Sequence, residues 1–368
     1  MKVPRVDLRP QERPLKKAIL RSISKIIDSG EFILGHNVKA LEKEIAAYMG
    51  VPDAIGVASG TDALMLSLCA LGIKQGDEVI TTPFTMAANV EAILHVGAKP
   101  VFADVDRKTF NLLPFEIEKR ITPKTKAILP VHLFGNPCRM DEITGISREH
   151  NIPVVEDVCQ AFGAKYKGSR CGSFGVLSAL SFFPTKNLGG YGDGGMVLVN
   201  DVQYSQKLRR LRTHGQQSKY IYEYLGWNSR LDEMQAAVLL PKLSRIDRWN
   251  AARAKAAKLY EKGLAGLSEV ETPLATDGGN HIYHLYTIKA QRRAELAAHL
   301  ALQGIETAVN FPLALHLQLA YNDGTWKEGD FPDAEWLCNM SLSLPMFVGI
   351  SEKQVLGVCR SIRGFYRK

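Results

Sequence analysis

Leu180-Ser181-Phe182-Phe183-Pro184-Thr185-Lys186-Asn187-Leu188-Gly189-Gly190 is the stretch from which the rest of the chain can be read. The apolar run from Leu177 to Phe183 has the length and texture of a buried strand. Pro184 lacks an N–H donor and stops it. Lys186 follows at once, and glycines stand at 189, 190, 192, 194 and 195. Burial and nearby charge can lower the pKa of a lysine at a strand end, and a free amine can form a Schiff base with an aldehyde. Taken alone, the same residue also reads as a loop lysine reaching solvent.

Outward from this stretch, short apolar runs alternate with helical patterns. Strand-like segments are expected at 55–58, 78–82, 100–104, 127–133 and 153–156, with helices at 61–71, 87–96, 114–121 and 140–150. Two amphipathic helices precede them. One carries Leu15, Ile19, Ile23 and Ile26 and stops at Gly30; the other carries Val38, Leu41, Ile45 and Met49 and stops at Gly50. This alternation predicts an α/β fold with a mostly parallel central sheet flanked by helices. After about residue 200 the texture changes. Helices are expected at 202–211, 232–264 (with a break admitted at Pro241), 292–303 and 351–366, and strands at 285–290 and 306–310. The predicted division is a large domain over 1–245 and a smaller C-terminal α+β domain over 246–368.

Composition narrows the function classes. The net charge of +8, from 46 Lys+Arg against 38 Asp+Glu, is modest for 368 residues and is not gathered into a block. It fits a solvated basic surface or an anionic small-molecule partner. No basic face with interleaved aromatics is visible, which argues against nucleic acid. The six cysteines are scattered without a C-x-x-C pair and read as reduced thiols of a cytoplasmic protein, with no metal site. The N-terminal MKVPRVDLRPQERPLKK has no apolar h-region, and no apolar run is long enough for a bilayer, so neither a secretory signal nor a membrane partner is expected.

In open parallel sheets ligands bind beyond the carboxyl ends of the strands. Three features fall there. In Ile55-Gly56-Val57-Ala58-Ser59-Gly60-Thr61-Asp62 a strand runs into a helix start, where free N–H groups attract phosphate and glycine permits close approach. An ordinary Ser or Thr cap reads the same way. In Val154-Val155-Glu156-Asp157-Val158-Cys159-Gln160-Ala161 an acidic residue follows a buried strand. It suits a protonated pyridine nitrogen, or a plain helix cap. Lys186 is the third. A phosphate cradle, a strand-end aspartate and a strand-end lysine, in that order, make a pyridoxal phosphate site.

Carried on these motifs, the chain resembles the pyridoxal-phosphate-dependent nucleotide-sugar aminotransferases of aspartate-aminotransferase-like fold. The resemblance extends to Phe32-Ile33-Leu34-Gly35, Gly76-Asp77-Glu78-Val79-Ile80, Pro130-Val131-His132-Leu133-Phe134-Gly135, His214-Gly215, Asn228-Ser229-Arg230-Leu231-Asp232 and Ser343-Leu344-Pro345-Met346. It implies that Lys186 carries pyridoxal 5'-phosphate, that Asp157 partners the ring nitrogen, and that Gln160 lies over the ring hydroxyl. Gly60, Thr61 and Ser181 become phosphate ligands. Asn228 reaches the same phosphate across a dimer interface, so a homodimer with shared active sites is implied. Arg230 and His316 match positions near the substrate pocket; a surface salt bridge and a helix-end histidine are the plain alternatives. Met86 stands where the family usually stacks an aromatic on the cofactor, with Phe84 nearby, and a thioether can pack on a π face.

The implied reaction has two halves. An amino acid, glutamate above others, gives up its amino group through Lys186, and a keto-sugar linked to a nucleoside diphosphate then receives it. Similarity around 228–243 favours a 3-keto over a 4-keto sugar. An aminotransferase acting on another carbonyl, such as an inosose, is the nearest alternative. A non-catalytic binding protein retaining the fold is the other.

Overall fold

The computed structural model describes residues 2–367. Seven strands build the central sheet: β1 (Asp53–Val57), β2 (Glu78–Thr81), β3 (Lys99–Phe102), β4 (Thr125–Ile128), β5 (Val155–Asp157), β6 (Leu177–Ser181) and β7 (Gly195–Val199). Ladders give the orders β1-β7-β6-β5 and β3-β2-β4. The parallel bridges Ile128↔Val154 and Val131↔Asp157 join the two runs. β7 is antiparallel to both neighbours, and the other ladders apart from β1–β7 and β7–β6 are parallel. The mostly parallel sheet is therefore as expected. β7 was not: its Met196-Val197-Leu198-Val199 run follows a glycine-rich loop and returns along β6 as a hairpin-like partner.

Helices surround this sheet: α1 (Lys16–Ser29), which packs on the later helix Glu233–Leu243, and α2 (His36–Met49), α3 (Gly60–Ala70), α4 (Ala88–His95) and α5 (Met140–His150) among them. Gly30 and Gly50 end α1 and α2 in the left-handed region, at φ 71° and 73°, where a glycine pays no Cβ penalty. α3 is buried on nearly every side, from Ala63 through Leu68, because sheet and neighbouring helices enclose it. That enclosure fixes its N-terminus at the carboxyl end of β1.

The expected helix over 232–264 is two helices, α6 (Glu233–Leu243) and α7 (Ile246–Leu264). Pro241 lies inside α6, and the chain breaks three residues later. Three further strands, β8 (Val270–Glu271), β9 (Tyr286–Ala290) and β10 (Ser341–Leu344), form an antiparallel sheet. With α7 and the helices α8 (Arg293–Leu302) and α9 (Glu352–Tyr366), they enclose a separate core around Tyr260, Tyr286, Ile288 and Val358. The strand expected at 306–310 is not formed. The isolated bridges Ile305↔Val3 and Ala308↔Ser343, with Arg5 N donating to Glu306 Oε2 and Ser343 Oγ to Asn310 Oδ1, tie that segment down. Val3 thus joins the C-terminal core.

Candidate active site

The turn after β6 is built by its own backbone. Phe182 N donates to Gly194 O at 2.8 Å, Gly190 N to Phe182 O at 2.7 Å, and Lys186 N to Phe183 O at 2.8 Å. A Cβ on Gly189 would lie 2.3 Å from Pro184 O, so only glycine closes this turn. Half-buried Lys186 is thereby held at one wall of a cavity of about 420 Å³.

Asp157, at the end of β5, lines the same cavity and is 6% exposed. Its Oδ1 accepts from Cys159 N at 2.8 Å and its Oδ2 from Asn89 Nδ2 at 2.9 Å. Asn89 Oδ1 in turn accepts from Thr85 Oγ1 at 3.1 Å. A carboxylate has about four acceptor positions, so this fixed group keeps capacity for a cation in the cavity. The neighbouring Glu156 points to the other face of the strand, as alternation requires. It accepts from His132 Nε2 at 2.9 Å and from the N–H groups of Gly172, Phe174 and Gly175 at 2.8, 2.8 and 2.7 Å. Of the two adjacent acids, one orders a loop and the other faces the cavity.

The start of α3 also lines the cavity. Ser59 caps the helix, its Oγ accepting from Asp62 N at 3.0 Å. The first N–H groups of the helix have no intrahelical partner and carry the positive end of its dipole. A Cβ on Gly60 would stand 2.7 Å from Ser181 Cβ and 3.1 Å from Cys159 Sγ. Ser181 Oγ accepts from Phe183 N at 3.3 Å, which leaves its O–H to donate. The structure therefore brings Gly60, Thr61, Ser181, Asp157, Gln160, Met86 and Lys186 around one space. Gln160 Oε1 accepts from Phe134 N at 2.9 Å, which turns its amide N–H groups away from that contact.

A cofactor with a phosphate, a basic ring nitrogen and an aldehyde fits these residues. The cradle that a Cβ would fill would take the phosphate, the buried carboxylate would take the ring N–H, and the lysine would take the aldehyde. Phe84 is fully buried, packed on Phe110, Phe134 and Phe311, whereas Met86 is 56% exposed and lines the cavity.

Three expected site residues are elsewhere. His316 is wholly buried, bound through Nε2 to Glu335 Oε1 at 3.0 Å and packed edge-on against Phe331. Its side chain is enclosed by aromatic neighbours and has no opening to the cavity. Asn228 is exposed and Arg230 half-buried, and neither lines this chain's own cavity. Ser229 between them donates to Asp62 Oδ2 at 2.5 Å, which fastens the segment beside the start of α3. Sequence reasoning missed Asn89, Arg5, Arg253, His284 and Asn310, all of which line the cavity. His284 Nδ1 lies 3.1 Å from Asn187 Oδ1, next to Lys186 in the chain. Burial, with the positive Lys186, Arg253 and Arg5 around it, pulls the His284 pKa far below the usual histidine value.

Comparison with known proteins agrees with this geometry. The model of the DegT/DnrJ/EryC1/StrS aminotransferase family matches residues 14–363. A Geobacillus stearothermophilus relative named pleiotropic regulatory protein is 47% identical over 100% of this chain and 99% of its own. The UDP-N-acetyl-3-dehydro-alpha-D-glucosamine 3-aminotransferase of Acidithiobacillus ferrooxidans is 44% identical over 98% of this chain and 97% of its own. Among solved structures, S. venezuelae DesV in complex with a ketimine intermediate superposes with a TM-score of 0.97 at 41% identity, covering 100% of this chain and 99% of that one. With a lysine, a buried aspartate and a glycine cradle gathered in one cavity, and with these matches along its length, the chain belongs to the DegT/DnrJ/EryC1/StrS aminotransferase family.

Proposed function

We propose that this aminotransferase uses pyridoxal 5'-phosphate to move an amino group from an amino acid, glutamate above others, to a keto-sugar linked to a nucleoside diphosphate. The observation that carries this reading is the shared cavity of Lys186 and Asp157 beside the Gly60 cradle. When bound, the cofactor supplies an aldehyde for the amino group and a ring that spreads carbanion charge. Lys186 Nζ takes the proton from the donor's α-carbon as a positioned general base. Asp157 holds the ring N–H, kept in place by Asn89 and the Cys159 N–H. Gly60, Thr61 and Ser181 hold the phosphate, Gln160 faces the ring hydroxyl, and Met86 packs on the ring.

The sugar class rests on relatives. The Acidithiobacillus protein acts at C-3 by its name, as does the dTDP-3-amino-3,4,6-trideoxy-alpha-D-glucose transaminase of Streptomyces venezuelae, 41% identical over 98% of this chain. A 3-keto sugar is accordingly favoured over a 4-keto sugar. Exposed Asn228 and half-buried Arg230, outside their own cavity, suit a homodimer in which a second copy completes each site. In this reading 246–368 is the smaller unit, and it supplies Arg253, His284 and Asn310 to the cavity wall. Six unpaired cysteines suit the cytoplasm. Among the described residues no helix is long and apolar enough to cross a membrane.

The test begins with the purified protein loaded with pyridoxal phosphate. Borohydride should bleach its visible absorbance and add the cofactor's mass to Lys186. L-Glutamate should convert the aldehyde form to the amine form, and a panel of nucleotide-linked 3-keto and 4-keto sugars should reverse it, the 3-keto members faster. A protein unmoved by glutamate, or a Lys186→Ala variant that reacts as fast as the wild type, refutes the reading.

A further inference from the structure

Asn187, the residue after Lys186, is buried and joins segments that lie far apart in the chain. Its Nδ2 donates to Asn250 Oδ1 at 2.7 Å, and Asn250 Nδ2 donates to Phe162 O at 3.0 Å. A backbone carbonyl only accepts, so it fixes the orientation of the Asn250 amide, and that amide fixes the orientation of Asn187. Asn187 Oδ1 is thereby left facing His284 Nδ1 at 3.1 Å. An amide oxygen also only accepts, so His284 carries its proton on Nδ1. A neutral imidazole protonated there keeps a lone pair on Nε2.

His284 is held in that neutral form. Burial above all, then the charges of Lys186, Arg253 and Arg5, keep its pKa far below the usual histidine value. Of those three cations Lys186 weighs most. His284 lines the cavity, and its Nε2 bonds to no group among the described residues yet is not sealed from that space. Arg253 is engaged by carbonyls, one of them that of His284 itself at 3.3 Å, which steadies the backbone beneath the ring. Lys186 is tied down by its backbone N–H on Phe183 O, while its Nζ donates to no acceptor among the described residues. An unpaired amine and an unpaired acceptor therefore share one cavity. Asp157, the buried acid there, is taken by the ring N–H in the aminotransferase reading, which leaves Nε2 as a buried acceptor for the amine.

We propose that His284 positions the Lys186 amine, its Nε2 accepting an Nζ–H once Lys186 is released. The assignment rests on the aminotransferase reading and deepens it. With one N–H held by the imidazole, the Nζ lone pair is oriented for the donor's α-carbon, and the positive charge that forms as Nζ takes the proton meets a fixed acceptor. The proton stays on Nζ until it is handed on, and His284 neither gains nor loses one.

Two variants separate this role from a plain structural clasp on Asn187. His284→Asn keeps a donor near the Nδ1 position and removes the Nε2 acceptor. His284→Gln reaches the Nε2 position and gives up the Asn187 contact. In the full-length apoprotein at neutral pH, acetic anhydride competes for Lys186 and exposed Lys17, and mass spectrometry reads their ratio. An amine that has lost its acceptor is less protonated, so Lys186 should react about threefold faster or more in His284→Asn and within about twofold of the wild type in His284→Gln. In the holoprotein, the rate constant for L-glutamate should fall by about 10- to 100-fold in His284→Asn and by less than about threefold in His284→Gln. Equal losses in the two variants, a greater loss in His284→Gln, or unchanged Lys186 acylation in His284→Asn overturns the assignment. Should either variant fail to fold, nitrogen NMR of the histidine-labelled wild type decides. His284 should show its proton on Nδ1 and an Nε2 signal that moves when pyridoxal phosphate takes up Lys186; a proton on Nε2, or a signal that stays in place, overturns the assignment. A wild type whose bound cofactor is unmoved by L-glutamate refutes the aminotransferase reading instead, and the acylation ratio, which needs no donor, still reads whether His284 meets Lys186.

Discussion

Gly60→Ala isolates the phosphate cradle from the rest of the site. The added Cβ would stand 2.7 Å from Ser181 Cβ, 3.1 Å from Cys159 Sγ and 3.3 Å from Ser181 Cα. Two of these atoms belong to a β6 residue that the sheet holds in place, so the contact is relieved only by moving the start of α3 away from the strand. Overpacking of this kind costs about 1–3 kcal/mol. Alanine's better helix propensity returns less than about 1 kcal/mol at a first-turn position. The shift also withdraws N–H donors from the phosphate, and a hydrogen bond to a charged group contributes about 1.5–3 kcal/mol. Loss of one such bond corresponds to about a 10- to 100-fold weaker cofactor. The assay is cofactor affinity by absorbance titration, beside a thermal melt of the apoprotein. Gly145→Ala is the control, because Gly145 lies inside α5 with nothing within 4 Å of an added Cβ. It should gain about 0.8–1 kcal/mol in stability and leave cofactor affinity unchanged. A Gly60→Ala protein that binds the cofactor as tightly as the wild type would remove the reason for placing the phosphate at this helix start.

Further outcomes concern the groups around Asp157 and the acid limb of stability. Asn89→Ala leaves Asp157 Oδ2 without its donor and should weaken the cofactor, or slow the glutamate half-reaction, by about 10- to 100-fold; unchanged values for both would mean that Asn89 does not position the carboxylate. His281 and His284 are both buried, and burial, the largest influence on each, lowers His281 to about 3 and His284 well below its usual value. Between the ordinary histidine pKa of about 6.5 and these folded values, the unfolded chain binds protons that the folded chain does not. Stability from this pair is therefore complete above about pH 6.5 and is lost as pH falls below it, at up to about 2.7 kcal/mol per pH unit for two histidines. Denaturant melts from pH 7.5 to 5 should show that slope, and a His284→Asn variant should show a shallower one; identical slopes would count against His284. Lys242→Met leaves Glu12 without its 2.7 Å partner and Gly189 O without its 2.8 Å donor, and should destabilise the protein by about 2–4 kcal/mol in the same melts.

Much of the site could be read from local chemistry. A proline-stopped strand before Lys186, a serine cap before Gly60 and an acid after an apolar run are signals carried by a few consecutive residues. Their order along the chain matches the order in which strands deliver them to one edge of the sheet. The paired acids show the limit of such signals. The resemblance named Asp157, and the alternation of successive side chains sends it toward the cavity and Glu156 to the other face, through the bonds each one finds. His316 shows the converse, since a matching position said nothing about the Phe331 ring and the Glu335 carboxylate that enclose it.

What the sequence by itself determined was the alternation of strands and helices, the lysine, the aspartate and the glycine cradle, because strand stops, caps and apolar periodicity act over a few residues. What only the tertiary structure decided was which distant groups meet them. Asn89 reaches Asp157 across 68 residues, His284 reaches Asn187 across 97, and Arg253 reaches the Met346 carbonyl across 93. Such contacts are made by the packing of one core on another, and no pattern in the intervening residues records them.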